Sequence, residues 1–497
     1  MKFNRRDFLW SSASLAAVAA SESLLLAQTP APTPTPAPTA RGNPGDRLNV
    51  AVIGIRGRGR EHLEGMAGRH NCVVTHICDA DSATQNERAV AAKITSIAAR
   101  QGGVRPEFVQ DLHRIMDNPN IQLVTIATPN HWHSLAAIWA LQAGKHVYVE
   151  KPVSHNIWEG RRLVEASRHY NKLCQAGTQI RSSAGSRAAI EFLHSGALGR
   201  VEVARALCYK RRPSIGTHMG EVPIPASVDY NLWCGPAPRR PMNRLHLHYD
   251  WHWQWDYGCG DLGNQGIHQM DVARWGLNQP SLCSSTWSVG GRFGYTDDGE
   301  TANTQLAFMN YGDQTLLFEV RGLVTDNYRA KQGEAGVTVG NVFHCTNGYL
   351  VFTNYDTAIA YDKDGTQIRR FSGGGDHFGN FVSAVRANRR QDLHGEIQEG
   401  HVSSALCHLA NISYRLGQAQ AFSPEPTPFG GNAVAHEALE RMKSHLTANH
   451  VDLATTQLRV GPRLNLDVSA ETFLGNADAN RMLTREYRQG FEVPARF

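Results

Sequence analysis

Neither C-x-x-C nor H-E-x-x-H occurs anywhere in the 497 residues. Those spacings bring zinc ligands together, so no metal ligand is assigned from the sequence. The nine cysteines are scattered and odd in number, which gives no disulfide framework. Charge of either sign is sparse: 50 Lys and Arg stand against 45 Asp and Glu, a formal net +5 without a dense basic block. Nothing there calls for a nucleic-acid partner. Beyond the N-terminus no apolar run is long enough to cross a bilayer, so stable membrane insertion is not expected.

What is present begins at the N-terminus. Asn4-Arg5-Arg6-Asp7-Phe8-Leu9 reads as a twin-arginine signal, followed by a mildly apolar segment from Trp10 to Ala27 that Ser21-Glu-Ser interrupts. Thr29 to Thr39 alternates proline with small residues and suits an extended tether. Residues 1–27 are therefore expected to be a signal peptide and 28–46 a linker, with the twin-arginine export machinery as a partner and the periplasm as the destination. A protein folded in the reducing cytoplasm before export should not depend on disulfides.

A nucleotide-binding pattern follows. Leu48-Asn-Val-Ala-Val-Ile-Gly54 is a short apolar run suited to a doubly buried parallel strand. It turns through Gly54, Gly57 and Gly59 into an expected helix over Arg60–Arg69, with Arg56 where G-x-G-x-x-G has its middle glycine. Arg56 can itself touch phosphate. A second strand, Cys72 to Cys78, ends at Asp79, whose carboxylate can accept from ribose hydroxyls and would repel a 2′-phosphate. Ile121 to Ala127 leads into Thr128-Pro-Asn130-His131-Trp-His133 and an apolar helix, Ser134 to Ala143, with Gly144 closing it. His146-Val-Tyr-Val then delivers Glu150-Lys151-Pro152 to the carboxyl end of a parallel strand, where α/β sheets bind ligands. A lysine buried beside a cationic ring has its pKa lowered and can pass protons near neutrality.

With T-P-N-x-x-H and E-K-P both present, residues 48–152 resemble the N-terminal domain of the Gfo/Idh/MocA oxidoreductases. The resemblance implies NAD binding, in preference to NADP given Asp79, with Glu150 and Lys151 in the nicotinamide pocket and Lys151 catalytic. The cofactor set it implies is Gly54, Arg56, Gly57, Gly59, Asp79, Thr128, Asn130, His133, Glu150, Lys151 and Gln179. Asn130 and His133 can also be read as caps of the following helix.

The second signature is Tyr257-Gly-Cys-Gly-Asp261-Leu-Gly-Asn264-Gln-Gly-Ile-His268-Gln-Met-Asp271. On one helix Asn264, His268 and Asp271 would share a face. The family pattern carries aspartate and histidine beside the substrate carbon; here His268 matches and Asn264 replaces the aspartate. Asparagine can orient a hydroxyl but cannot take a proton, so the acid–base work falls to Lys151 and His268, with Tyr257 or Asp261 in support. Structural roles for Tyr257 and Asp261 remain open. Upstream, His246-Leu-His-Tyr-Asp-Trp-His-Trp-Gln-Trp-Asp256 interleaves aromatic faces with hydrogen-bonding groups, as a sugar-binding wall or an aromatic core would.

Runs at Val201–Tyr209, Ser284–Phe293, Thr304–Met309, Thr315–Val320 and Gly336–Cys345 read as strands between glycine turns, and His377–Arg386 and Glu399–Leu416 as helices. The expected fold is an α/β Rossmann nucleotide-binding domain (47–175) plus an α+β domain with a large, mostly antiparallel sheet (176–424), the latter for substrate and dimerisation. Residues 425–497 form a C-terminal extension that either wraps a neighbour in a homo-oligomer or covers the cleft. Three functions compete: an exported oxidoreductase acting on a sugar with a held, internally recycled cofactor, a redox-neutral NAD-dependent glycosidase, and a non-catalytic NAD-bound sugar-binding protein.

Overall fold

The computed structural model describes residues 47–331, 336–423 and 432–497. The signal and linker readings of residues 1–46 lie outside them. The first half alternates strand and helix: β1 (Leu48–Ile53), α1 (Gly59–Met66), β2 (Cys72–Cys78), α2 (Arg88–Arg100), β3 (Glu107–Val109), α3 (His113–Met116), β4 (Leu123–Ile126), α4 (His133–Gln142), β5 (His146–Val149), α5 (Ile157–His169) and β6 (Cys174–Ala176). All six strands pair in parallel, in the order β3-β2-β1-β4-β5-β6. Each strand is apolar because helices cover both faces: Ala51, Ile53 and Val124 pack toward α4 and α5, while Val50, Val52 and Leu123 pack toward α1 and α2. The strand order reverses between β1 and β4, which opens a crevice at their carboxyl ends.

The chain continues through α6 (Ala184–His194), β7 (Val201–Tyr209), α7 (Tyr230–Cys234), α8 (Gly260–Asn264), α9 (Gly266–Gly276), β8 (Ser285–Gly291), β9 (Thr304–Tyr311) and β10 (Gln314–Arg321). Then come β11 (Val339–Cys345), β12 (Gly348–Phe352), β13 (Thr357–Asp362), β14 (Gln367–Ser372), α10 (His377–Ala387) and α11 (Ile397–Arg415). The C-terminal part adds β15 (Gln418–Ala421), α12 (Ala433–Ala448), β16 (Gln457–Val460), β17 (Leu464–Asp467), β18 (Thr472–Phe473) and α13 (Ala477–Arg481).

These strands build one large sheet, β14-β13-β12-β11-β7-β10-β9-β8-β16-β15, with β17 also on β8. It is antiparallel except where β7 and β10 run parallel. Its inner face (Ala204, Ala206, Phe318 and Phe343) packs on α6, α9 and α11. The outer face over β8–β10 carries Trp287, Phe308 and Leu317 and is covered by α12 through Leu439 and Met442.

Residues 432–497 thus extend the sheet of their own chain and then return to the nucleotide-binding half. Phe491 packs against Trp132 and Trp139, and Arg488 donates to the carbonyls of Asn231 and Gly235 at 3.0 Å. Among the described residues no helix is long and apolar enough to cross a membrane.

Candidate active site

The glycine turn is built for a close approach. Gly54 has φ +80°, and a Cβ there would stand 2.6 Å from the Ala127 carbonyl oxygen. At Gly59 a Cβ would fall onto the Gly54 carbonyl, so α1 starts tight against β1. Gly57, at φ +41°, has open space above it. The turn therefore keeps its packing although Arg56 occupies the middle position; Arg56 pairs with Glu87.

Asp79 ends β2 beside the turn. Its carboxylate accepts from the Ile55 amide at 3.2 Å and the Asp81 amide at 3.1 Å, and burial pushes its pKa up to about 6.

At the end of β5, Glu150 accepts from Arg58 Nε at 2.8 Å and lies 3.1 Å from His62 Nε2. Against the cost of burial, the Arg58 charge and those bonds hold this carboxyl well below the usual range. Lys151 Nζ donates to the Asn264 carbonyl at 2.9 Å, so α8 and β5 meet at the lysine. Burial lowers the Lys151 pKa, the Glu150 charge opposes this, and Arg58, Lys210 and Arg212 add to it.

His133 Nδ1 is 2.6 Å from the Pro152 carbonyl and its Nε2 2.9 Å from the Thr128 carbonyl, so it ties the Thr-Pro-Asn loop to the Glu-Lys-Pro turn. It makes no cap for α4, nor does Asn130, whose buried Oδ1 has no partner; the buried Thr128 hydroxyl is likewise unpartnered.

Gly54, Arg56, Gly57, Asp79, Thr128, Asn130, His133, Glu150, Lys151 and Asn264 all line one cleft of about 330 Å³. Its opposite wall is His248, Tyr249, Trp251 and His252 from the aromatic run. His248 Nε2 bonds Asp81 at 2.9 Å, and the His252 ring stacks on Trp251 at 3.7 Å. Arg58, also in the lining, escaped the sequence reading because a basic residue inside a glycine turn reads as solvent-exposed. Its partner Glu150, 92 positions away, gives it its place.

Several expected residues sit elsewhere. Tyr257 is buried, donates to the Pro238 carbonyl at 3.1 Å and packs beneath Trp233 and Arg244, so it does not reach the cleft. The cause is local: the Tyr257 amide closes a turn onto the Gln254 carbonyl and aims the ring into the aromatic cluster. Gln179 opens a short 3-10 turn, Gln179–Ser182, and is not part of the lining. The shared face of Asn264, His268 and Asp271 is broken at Gln265, between α8 and α9. Asp271 instead takes Arg181 through two bonds, at 2.7 and 2.8 Å, and accepts from Ser403. Asp261 is held twice by Arg212.

His268 lies behind the lysine rather than on the cleft surface. It is 4% exposed, its Nδ1 has no partner, and its ring sits 5.2 Å from Tyr355. Burial, with the Lys151 charge second, holds its pKa well below the ordinary value, so it is neutral.

The site fits a dinucleotide: an open glycine turn, an acid at the second strand's end, and unpartnered buried oxygens on the third loop all face one crevice. Among the described residues no group of three or more His, Cys, Asp or Glu is placed to hold a metal ion.

This fold and site define a Rossmann-type dinucleotide-binding domain joined to a second, sheet-based domain. Residues 48–178 match the family model for the oxidoreductase family's NAD-binding Rossmann fold, and residues 195–292 match its C-terminal alpha/beta domain. Residues 48–178 and 195–292 are thus similar to the two domains of the Gfo/Idh/MocA oxidoreductase family.

Among curated proteins it is similar to a levoglucosan dehydrogenase of Pseudarthrobacter phenanthrenivorans, 33% identical over 109 residues, covering 22% of this chain and 28% of that protein. A glycosyl hydrolase family 109 protein of Streptomyces coelicolor is 30% identical over 154 residues, covering 31% of this chain and 32% of that one. The chain thus spans about a third or less of the length of these relatives. A solved levoglucosan dehydrogenase in complex with NADH and levoglucosan shares the fold, at a TM-score of 0.53 and 19% identity over 73% of this chain and 96% of that one.

Proposed function

We propose that this chain is an NAD-dependent oxidoreductase of a sugar or sugar derivative, exported with its cofactor bound. The observation that carries the reading is the convergence of the glycine turn, Asp79 and Lys151 on one cleft whose other wall is aromatic. A bound nicotinamide would supply the hydride acceptor that protein side chains lack. Gly54 and Gly57 admit the pyrophosphate to the start of α1, and Asp79 accepts from the ribose. Tyr249 and Trp251 offer flat apolar surface to the C–H face of a sugar ring.

Lys151, fixed by the Asn264 carbonyl and lowered in pKa, takes the proton of the substrate hydroxyl and returns it in the reverse direction. His268, neutral and with a buried, unpartnered Nδ1, stands off the cleft surface and adds no charge beside Lys151. Glu150 keeps Arg58 in place and tempers the Lys151 shift.

The export half of the reading rests on Asn4–Leu9 and the proline-rich segment behind it. Free NAD(H) is scarce outside the inner membrane, so an exported enzyme has to retain and regenerate its cofactor there.

A second reading, redox-neutral glycoside cleavage, is supported by Asn264 in place of an aspartate and by the likeness to glycosyl hydrolase family 109 proteins. Aryl glycosides in heavy water separate the two. The oxidoreductase leaves a keto-sugar or lactone and reduced cofactor until a second carbonyl compound arrives. Glycoside cleavage with solvent deuterium in the released sugar would overturn it in favour of the hydrolase.

A further inference from the structure

Between β7 and α8 the chain leaves the large sheet for residues 210–259, whose only helical turns are α7 and the 3-10 turn Asp250–Trp253. Both ends of this excursion are rooted in the second domain: Arg212 holds Asp261, and the Glu300 amide donates to the Trp253 carbonyl at 2.8 Å. Its middle is fastened to the nucleotide-binding half on both flanks of the glycine turn. On the β2–β3 flank the Ser82 amide donates to the Ser227 carbonyl and the Asp229 amide to the Ala80 carbonyl, each at 2.9 Å. Gln110 Nε2 adds a bond to the Ser227 carbonyl at 3.0 Å. On the β4 flank Trp132 Nε1 donates to the Leu232 carbonyl at 2.9 Å, and His131 Nε2 to that of Trp233 at 3.0 Å. Since β1 lies between β2 and β4 in the sheet, α7 runs from one flank of the glycine turn to the other. The chain then returns, and His248 Nε2 donates to Asp81 at 2.9 Å. Leu232, Trp233, His248 and Trp251 line the same cleft as the glycine turn and Asp79. Excursions of this length without a strand are uncommon in compact domains and usually serve a site.

We propose that residues 227–252 are a strap that keeps the dinucleotide in its crevice, with the Asp81–His248 pair as its latch. The inference rests on the NAD-binding reading and says how the cofactor is retained. A dinucleotide between the glycine turn and the strap leaves only when the fastenings of one flank open together. The β4 flank is the hinge: His131 and Trp132 are buried there, and Arg488 adds bonds to the Asn231 and Gly235 carbonyls. The β2–β3 flank is the wetter one, with the His248 side chain 23% exposed, so it opens first.

The test is exchange of bound NAD for isotopically labelled NAD, followed by native mass spectrometry of the full-length holoprotein. Asp81 and Val228 face each other in an antiparallel bridge, so Asp81→Cys combined with Val228→Cys brings two thiols within disulfide reach. The native cysteines are all free, and wild type given the same oxidant and reductant is the control. The reduced double variant, without its latch, should release NAD roughly ten- to hundredfold faster than wild type, the worth of a bond to a charged group. Its disulfide form should release NAD more slowly than wild type, which damage to the adenosine end of the site would not produce. Hydrogen exchange in the unaltered protein gives a second readout: the Ser82 and Asp229 amides should exchange at a common rate and slow together when NAD binds. Equal release from the disulfide and reduced forms, or exchange at those two amides that NAD leaves unchanged, would overturn the strap alone. A protein that takes up no NAD would overturn the NAD-binding reading with it.

Discussion

Lys151 is placed by opposing forces, burial the largest of them and the net shift downward. Burial and three nearby cations favour its neutral form, Glu150 favours the charged one, and the Asn264 carbonyl fixes the nitrogen. A group so shifted suits proton transfer near neutral pH. Lys151→Met is expected to retain NAD and slow hydride transfer by roughly 10²–10⁴-fold, measured in single turnovers. A variant that lost NAD yet turned over normally when saturated would make the lysine a binding group only.

Asp79 gives a pH signature. Its folded pKa, about 6, lies above the ordinary 3.8. The stabilisation of its protonated form is therefore complete below pH 3.8 and is lost as pH rises through about 6. Above that pH the unliganded protein bears an ionised, poorly solvated carboxylate, and ribose hydroxyls relieve it. NAD affinity should consequently weaken as pH falls below about 6, and Asp79→Asn should flatten the profile and raise the unliganded melting temperature above that pH. A wild-type affinity independent of pH between 5 and 8, on the order of the range tested for such groups, would remove Asp79 from the ribose site.

Among the elements, those with one unambiguous period were legible in the sequence. Cys72–Cys78, His146–Val149 and Val201–Tyr209 end where the expected strands end, because short apolar runs between glycine or polar turns leave few other registers. The helix expected at Arg60–Arg69 starts at Gly59 and stops at Met66, since Gly68 takes φ +63°. Less legible were β12–β14 and β15–β18, whose pairing is set by partners far along the chain.

Which residues the cleft gathers was readable where a strand end dictates it, at Asp79, Glu150 and Lys151. It was misread where one side-chain hydrogen bond decides, as with Tyr257 on Pro238. The break at Gln265 belongs here too, since it frees α9 to anchor Asp271 on Arg181. Both partners are buried, so Arg181→Met strands a charge and should cost about 3–5 kcal/mol in denaturant unfolding. A loss below about 1 kcal/mol would show that water reaches Asp271.

Across the whole molecule the C-terminal residues belong to the fold rather than decorating it. α12 closes the outer face over Trp287 and Phe308, β16 and β17 pair with β8, and Phe491 returns to Trp132 next to the cleft wall. Removing residues 432–497 should therefore expose both faces and give aggregated protein, seen by size-exclusion chromatography. A monodisperse, NAD-binding product would contradict that. The same return path bonds Arg485 to the Asp256 carbonyl and Arg488 to those of Asn231 and Gly235, beside the cleft wall.

The central claim is that one cleft holds NAD and passes a hydride between it and a sugar with Lys151 as acid–base group. The most direct measurement is the reduced-nicotinamide absorbance of purified full-length protein, taken before and after addition of neutral and acidic sugars, with bound NAD counted by native mass spectrometry. The account predicts one NAD per chain surviving gel filtration, a sugar-dependent absorbance change in the wild type, and a much slower change in Lys151→Met. Protein that binds no NAD, or that binds it without any absorbance change across the panel, would contradict the account.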